Sequence, residues 1–193
     1  GVVIRGPDDR YEVVLAKNSV AAQDLGFTDR DVVLDLQDVV RVFQGHYPTG
    51  VCVVTAVEAD GAPVGMVVGS FTSVSLDPPL VAFFPAKTSS SWPRIEKVGR
   101  FCVNILASDQ LPVCRQIAAP GVDKFAGIAH RVSAHGSPIL DDVVAWIDCT
   151  LDAVHEAGDH HIVLGRVVAL EVERPERPLL FFQGSYGEFA LLD

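Results

Sequence analysis

The sequence predicts a mainly β chain of the α+β class, an antiparallel sheet or barrel with a few peripheral helices. Three observations carry this expectation. Two apolar runs flank Asp60-Gly61, a dipeptide suited to a tight hairpin turn. Two longer runs flank Ala157-Gly158-Asp159 in the same manner. Helical stripes are short and few, and no repeat or low-complexity segment interrupts the pattern.

The elements follow in chain order. Residues 1–34 scatter their charges without a sustained period and read as an N-terminal extension with some local structure, ahead of a domain over 35–193. Leu36, Val39, Val40 and Phe43 fall at i, i+3, i+4 and i+7, the apolar stripe of a helix that Asp35 caps and Gly45 ends. Tyr47-Pro48-Thr49-Gly50 turns into a strand from Val51 to Val57, and Val64 to Val68 returns antiparallel to it. Leu80 to Phe84 makes the next strand after Pro78-Pro79. A helix opens at Thr88 to Ser91 with Trp92-Pro93 and runs to about Gly99. Phe101 to Leu106 reads as strand and Ser108 to Ala118 as helix. Residues 119–140, with several Gly, Pro and His, read as a long loop. Ala145 to His155 and His160 to Val172 form the second hairpin, and Leu179 to Phe182 a last short strand.

Composition narrows the function classes. At 193 residues, 49% hydrophobic and 21% charged, the chain can bury a sizeable core. Its 15 Lys and Arg against 25 Asp and Glu leave a net charge of −10. That sign disfavours a nucleic-acid backbone or an anionic membrane surface as partner. No apolar run approaches the roughly 20 residues that cross a bilayer. Arg5, Asp8, Asp9 and Arg10 precede any apolar block, so no secretory signal is readable and a cytoplasmic setting is expected. Cys52, Cys102, Cys114 and Cys149 are far apart, and most sit in apolar surroundings. They read as buried thiols in a reducing compartment, with no disulfide or metal framework.

Three stretches carry candidate chemistry. Between Gly69 and Pro79, the hydroxyls of Ser70, Thr72, Ser73 and Ser75 fall within six residues, suited to the polar edge of a flat heterocycle. A solvated edge strand would look the same. In Ala86-Lys87-Thr88-Ser89-Ser90-Ser91, hydroxyls ahead of a helix and a lysine suit a phosphate, although plain helix capping needs only one of those hydroxyls. At Gly158-Asp159-His160-His161, strand alternation sends the two histidines to opposite faces, an arrangement that chelates metal poorly. No metal site is expected. Neither a Gly-x-Gly-x-x-Gly after a strand nor a Gly-x-Ser-x-Gly elbow is present, which leaves Rossmann and hydrolase readings without support.

Taken together, these segments resemble the flavin reductase family, whose members supply reduced flavin to two-component monooxygenases. The resemblance runs from about Leu36 to Tyr186. It is carried by Tyr47-Pro48-Thr49-Gly50-Val51, Gly65 through Pro79, Lys87-Thr88-Ser89, Phe101 through Leu106, Asp123-Lys124-Phe125, Gly158-Asp159-His160 and Pro178 through Phe182. It implies an FMN-binding split barrel, usually a homodimer, that transfers hydride from NADH or NADPH to FMN or FAD. The reduced flavin then passes to a separate oxygenase component. Residue by residue, it implies that Val67, Val68, Gly69, Ser70, Ser73 and Ser75 contact the isoalloxazine and ribityl. Ala86, Lys87, Ser89, Ser90 and Ser91 would hold the phosphate end, with Asn104 supporting that wall. His160 would act at the nicotinamide nucleotide, with Phe182, Gln183, Gly184 and Tyr186 nearby. Members often carry Thr, Ser or Asn where this chain has Val67 and Gly69, so one side-chain hydrogen bond to the ring is expected to be missing. The same fold could instead serve an oxidase with bound flavin or a non-catalytic flavin-binding module. Arg166, Arg174 and Arg177 are dispersed, so the sequence leaves NADH against NADPH open.

Overall fold

The structure, a computed structural model, describes residues 2–5, 12–15, 33–34, 44–121 and 123–192. The helix expected over Leu36–Phe43 lies outside the described residues. The chain divides into two compact units, 1–48 with 182–184, and 49–181 with 185–193. In the first, β1 (Val2–Arg5), β2 (Glu12–Leu15) and β3 (Val33–Leu34) form a three-stranded antiparallel sheet in that order.

The second unit opens with β4 (Thr49–Gly50), β5 (Cys52–Val57), β6 (Pro63–Val68), β7 (Thr72–Leu76) and β8 (Pro79–Phe83). Then come α1 (Trp92–Val98), β9 (Arg100–Ile105), a 3-10 turn at Ser108–Gln110 and α2 (Leu111–Ala118). The chain closes with β10 (His130–Val132), β11 (Pro138–Leu140), β12 (Ala145–Ala157), β13 (His160–Val172), β14 (Leu179–Phe182) and β15 (Ser185–Glu188). Both expected hairpins form. Cys52 pairs with Val68 and Val57 with Pro63 around Asp60-Gly61, where the Asp60 carboxylate accepts the Ala62 N–H at 3.0 Å. Ala145 pairs with Val172 and Ala157 with His160 across the longer one. Residues 119–140 differ from the expected loop, because β10 and β11 pair antiparallel there. Three-residue strands around Ser133–Ser137 are too short to show a period in the sequence. β4 and β15 are additions of the same kind, flanking β14 in a three-stranded sheet.

Seven strands form the main sheet in the order β6-β5-β9-β12-β13-β8-β7, every neighbour antiparallel. Its two edges, β6 and β7, are consecutive in the chain and joined only by Gly69-Ser70-Phe71. Laid flat, seven strands would separate those edges by about 29 Å. From Val68 to Thr72 the backbone reaches at most about 14 Å. The sheet is therefore curled until its edges converge, which is the barrel that the sequence predicts.

Alternation along β5 explains how one strand serves two cores. Cys52, Val54 and Ala56 join Phe83, Trp92, Ile95, Phe101 and Val103 beneath α1. Val51 and Val53 face the other way, with Leu106, Cys114, Ile117 and Phe125 beneath α2. A strand buried on both faces shows a continuous apolar run, as Val51–Val54 does. Phe83 anchors the first core by edge-on contacts with Trp92 and Phe101, centroids 5.6 and 5.3 Å apart. Gly99, at φ 74°, takes the left-handed cap that ends α1.

All four cysteines are free and buried. Burial pushes the Cys52 and Cys149 thiols up to about 12 and raises Cys102 further still. The folded protein should accordingly resist a thiol-specific disulfide reagent at neutral pH and release four equivalents after denaturation. Rapid native labelling of any of the three would contradict this packing.

Candidate functional site

The convergence of the sheet edges brings the hydroxyl-rich segment together. β7 pairs with β8 along one side only, leaving backbone groups of its other side open in the main sheet. Its register shifts between Ser73 and Ser75, a bulge that re-aims the strand. Ser73 is exposed and Ser75 half-buried. The Ser70 hydroxyl accepts the Phe84 N–H at 2.9 Å and so ties the connection to the end of β8. On β6, Val68 points into the first core and Val67 packs against the second, so backbone and aliphatic surface are what they offer a ligand.

Gly69 has a specific structural cause. A Cβ there would lie 2.8 Å from Thr49 Oγ1 and 3.5 Å from Thr49 Cβ. The Thr49 hydroxyl stands where a side chain at position 69 would emerge.

The second group gathers at the tip of the β12–β13 hairpin. Ala86 bridges antiparallel to His160, Lys87 N–H donates to Asp159 O at 2.9 Å, and His161 N–H donates to Pro85 O at 2.9 Å. These bonds pin the segment after β8 against the hairpin. Lys87 Nζ ion-pairs with Glu156. Ser89 Oγ accepts the Trp92 N–H at the start of α1 at 3.2 Å, whereas the N-cap residue Ser91 makes no side-chain cap. Ser90 is exposed, whereas Ser91 is buried and accepts from Lys124 Nζ at 3.2 Å. Lys124 also donates to Gly65 O at 3.4 Å. Desolvation and the neighbouring Arg94 lower its ammonium from the ordinary range. Nothing in the local sequence marks Lys124, 33 residues from Ser91, as a neighbour of the serine segment.

Asn104 lies deeper than a ligand contact. It is fully buried; its amide donates to Val53 O at 3.2 Å and Thr55 Oγ1 at 3.0 Å, and its carbonyl accepts the Leu140 N–H at 2.8 Å. The only role this geometry offers is support, joining β5, β9 and β11.

His160 and His161 separate as alternation requires. The His160 ring is 45% exposed, with Nδ1 2.8 Å from Asp159 Oδ1. Its hydrogen bond to Asp159 holds that carboxyl below the usual carboxylate range. His161 is more enclosed, its ring 6.4 Å from Trp92. Of the other expected nucleotide residues, Phe182 ends β14, and Gln183 and Gly184 form the turn after it, where Gln183 N–H donates to Gly45 O at 2.9 Å. Tyr186 packs edge-on against Phe181 at 5.1 Å, and its hydroxyl accepts from Cys114 Sγ at 3.5 Å. Its partners among the described residues belong to β14 and α2 and not to the hairpin tip.

These residues fit a flavin nucleotide chemically. Open strand edge and hydroxyls match the polar rim of an isoalloxazine. Lysines and serines match a phosphate, and an exposed, oriented histidine matches a nucleotide lying above them. Residues 44–190 match the family described as flavin reductase like domain. The chain belongs to the flavin reductase family. It is a flavin reductase of the kind that forms the reductase component of two-component monooxygenases. A flavin reductase from Pseudomonas putida is 57% identical over 152 residues, which cover 79% of this chain and 89% of that protein. Reductase subunit HsaB of a flavin-dependent monooxygenase from Rhodococcus jostii (strain RHA1) is 49% identical over 146 residues, 76% of this chain and 74% of its own. Among solved structures, the NADH:FAD oxidoreductase SgcE6 from Streptomyces globisporus C-1027, in complex with NAD and FAD fragments, superposes with a TM-score of 0.76. It is 33% identical, covering 82% of this chain and 97% of that one. These relatives share the split-barrel fold.

The Gly69–Thr49 contact yields a direct test. Gly69→Ala should destabilise the protein by about 1–3 kcal/mol in denaturant unfolding, as overpacking does. Adding Thr49→Ala should recover most of that loss. Additive losses in the double variant would show that the two residues do not compete for the same space.

Proposed function

We propose that the chain reduces FMN or FAD with NADH as a homodimer in the cytoplasm and releases the reduced flavin to a separate oxygenase. The observation that carries this reading is the placement of the hydroxyl-rich edge and the Lys87 segment at one convergence of the barrel, with His160 beside them on the hairpin. When bound, the flavin supplies a hydride acceptor and the nicotinamide a donor. The chain's own task is to stack the two rings and exclude water, which needs no proton-transferring triad. Gly69 through Ser75 hold the ring edge, Lys87 and Ser89 to Ser91 the phosphate, and His160 the nicotinamide nucleotide. Asp159 orients the His160 imidazole.

NADH as the donor is supported by the solved relative SgcE6, an NADH:FAD oxidoreductase. The free thiols and the nicotinamide donor support a cytoplasmic setting. Dimerisation is supported by the outward side of β13, where Val168, Leu170 and Val172 alternate exposed at 38, 63 and 70%.

Mixed with NADH and excess FMN, the protein should oxidise many equivalents of NADH, whereas a flavin-binding module would give only a spectral perturbation. His160→Ala should raise the KM for NADH roughly three- to tenfold, the loss of one hydrogen bond, while leaving flavin affinity in place. A variant that instead lost FMN and kept its NADH constant would put the wrong ligand at this residue. Light scattering should report about twice the 20.7 kDa chain mass; a monomer that turns over would refute the dimer.

A further inference from the structure

Lys87, the cation assigned above to the flavin phosphate, has its ammonium ion-paired with Glu156 Oε2. The other oxygen of that carboxylate, Oε1, lies 3.5 Å from His161 Nδ1. Glu156 sits opposite His161 in the β12–β13 register, and Lys87 is pinned to Asp159 of the same hairpin through its backbone. The pairing is therefore built into the hairpin, and two basic side chains face one carboxylate.

A phosphate arriving at Lys87 meets an anion already there. Glu156 is ionised at neutral pH, since the Lys87 contact holds its carboxyl below the usual range. Like charges cannot share the ammonium without cost. The displaced carboxylate has a second seat within reach, because His161 Nδ1 is buried and without a hydrogen-bond partner in the described structure. His160 does not offer that seat, its Nδ1 being engaged by Asp159.

We propose that Glu156 is an internal counter-ion that occupies Lys87 between turnovers, competes with the flavin phosphate for it, and keeps flavin affinity low enough for release. This rests on the reading that Lys87 meets the phosphate. A reductase that hands its product to another protein needs weak, reversible binding. A carboxylate returning to Lys87 as the phosphate leaves stabilises the emptied site in place of water alone. The device acts on phosphate-bearing flavins and leaves riboflavin untouched.

Glu156→Gln and Lys87→Gln, singly and together in the full chain, test this by fluorescence titration with FMN and riboflavin and by stopped-flow dissociation of FMN. Glu156→Gln should bind FMN about two- to fivefold more tightly, the span of an exposed ion pair, and release it correspondingly more slowly. Riboflavin affinity should stay as in the parent protein. Lys87→Gln should weaken FMN roughly tenfold without affecting riboflavin, and in that background Glu156→Gln should add nothing. If Lys87→Gln loses FMN while Glu156→Gln leaves it unchanged, the counter-ion role is wrong and the phosphate assignment stands. If Lys87→Gln binds FMN like the parent, the phosphate assignment itself fails and takes this inference with it. Equal tightening of riboflavin and FMN in Glu156→Gln would also overturn the proposal, since the effect would not pass through the phosphate.

Discussion

Three residues, Gly69-Ser70-Phe71, join the two edges of a seven-stranded sheet, and most of the architecture follows from that length. A connection so short forces the sheet to close. It puts the open edge of β7 beside the end of β6, and Thr49, on β4, lies against Gly69. Crowding there leaves no room for a Cβ. The Ser70 hydroxyl, bound to Phe84 N–H, then fixes where β8 ends and the Lys87 segment begins. Fold and candidate site are consequences of one constraint, and the hydroxyl-rich stretch and the Lys87 segment are its two flanks.

The charge distribution shows a second layer of organisation. In a chain of net charge −10, five arginines among the described residues pair with carboxylates: Arg94 with Glu58, Arg131 with Glu173, Arg166 with Asp152, Arg174 with Asp109 and Arg177 with Glu188. Lys124, half-buried beside Ser91, has no carboxylate partner among the described residues. Near the serine segment the positive charges are thus Lys124, without an acidic partner among the described residues, Lys87, paired with Glu156, and Arg94, paired with Glu58. A site built for permanent retention of a dianion would leave both lysines available. The surrounding negative field, screened over about 10 Å at ordinary ionic strength, adds to the bias toward release.

Much of the barrel was legible because its signals are local. Asp60-Gly61 and Ala157-Gly158-Asp159 announce hairpins that the structure forms, and the Val51–Val57 run announces a strand, which the structure buries on both faces. The β10–β11 hairpin was not legible, since two three-residue strands, the second opening on Pro138, show no period. Long-range contacts were likewise hidden. Thr49 fills the space above Gly69 and Lys124 reaches Ser91, yet neither pairing leaves a trace in spacing or composition. Asn104 looked like part of the phosphate wall, but its place on β9 turns it inward, where Leu140 and Thr55 satisfy its amide. Residue type identified the chemistry; only the closed sheet could say which of those groups face outward.

The hairpin tip is where the separate demands of the reaction meet. Strand alternation makes His160 and His161 face opposite ways, so adjacent residues can attend to different ligands without interfering. Each has its own carboxylate: Asp159 holds the exposed His160, and Glu156 faces the enclosed His161 and Lys87. Exchanging these partners would leave the exposed His160 ring without its orienting carboxylate and Lys87 without its ion pair. The thirteen-residue strands behind the tip anchor it through the full register from Ala145↔Val172 to Ala157↔His160, with two local shifts along the way. A rigid tip matters because hydride transfer needs two rings held in contact, while release needs one of them held weakly. On the proposed reading, neighbouring residues on opposite faces of one strand would let the ring contact be firm and the phosphate grip loose within the same few ångströms of chain.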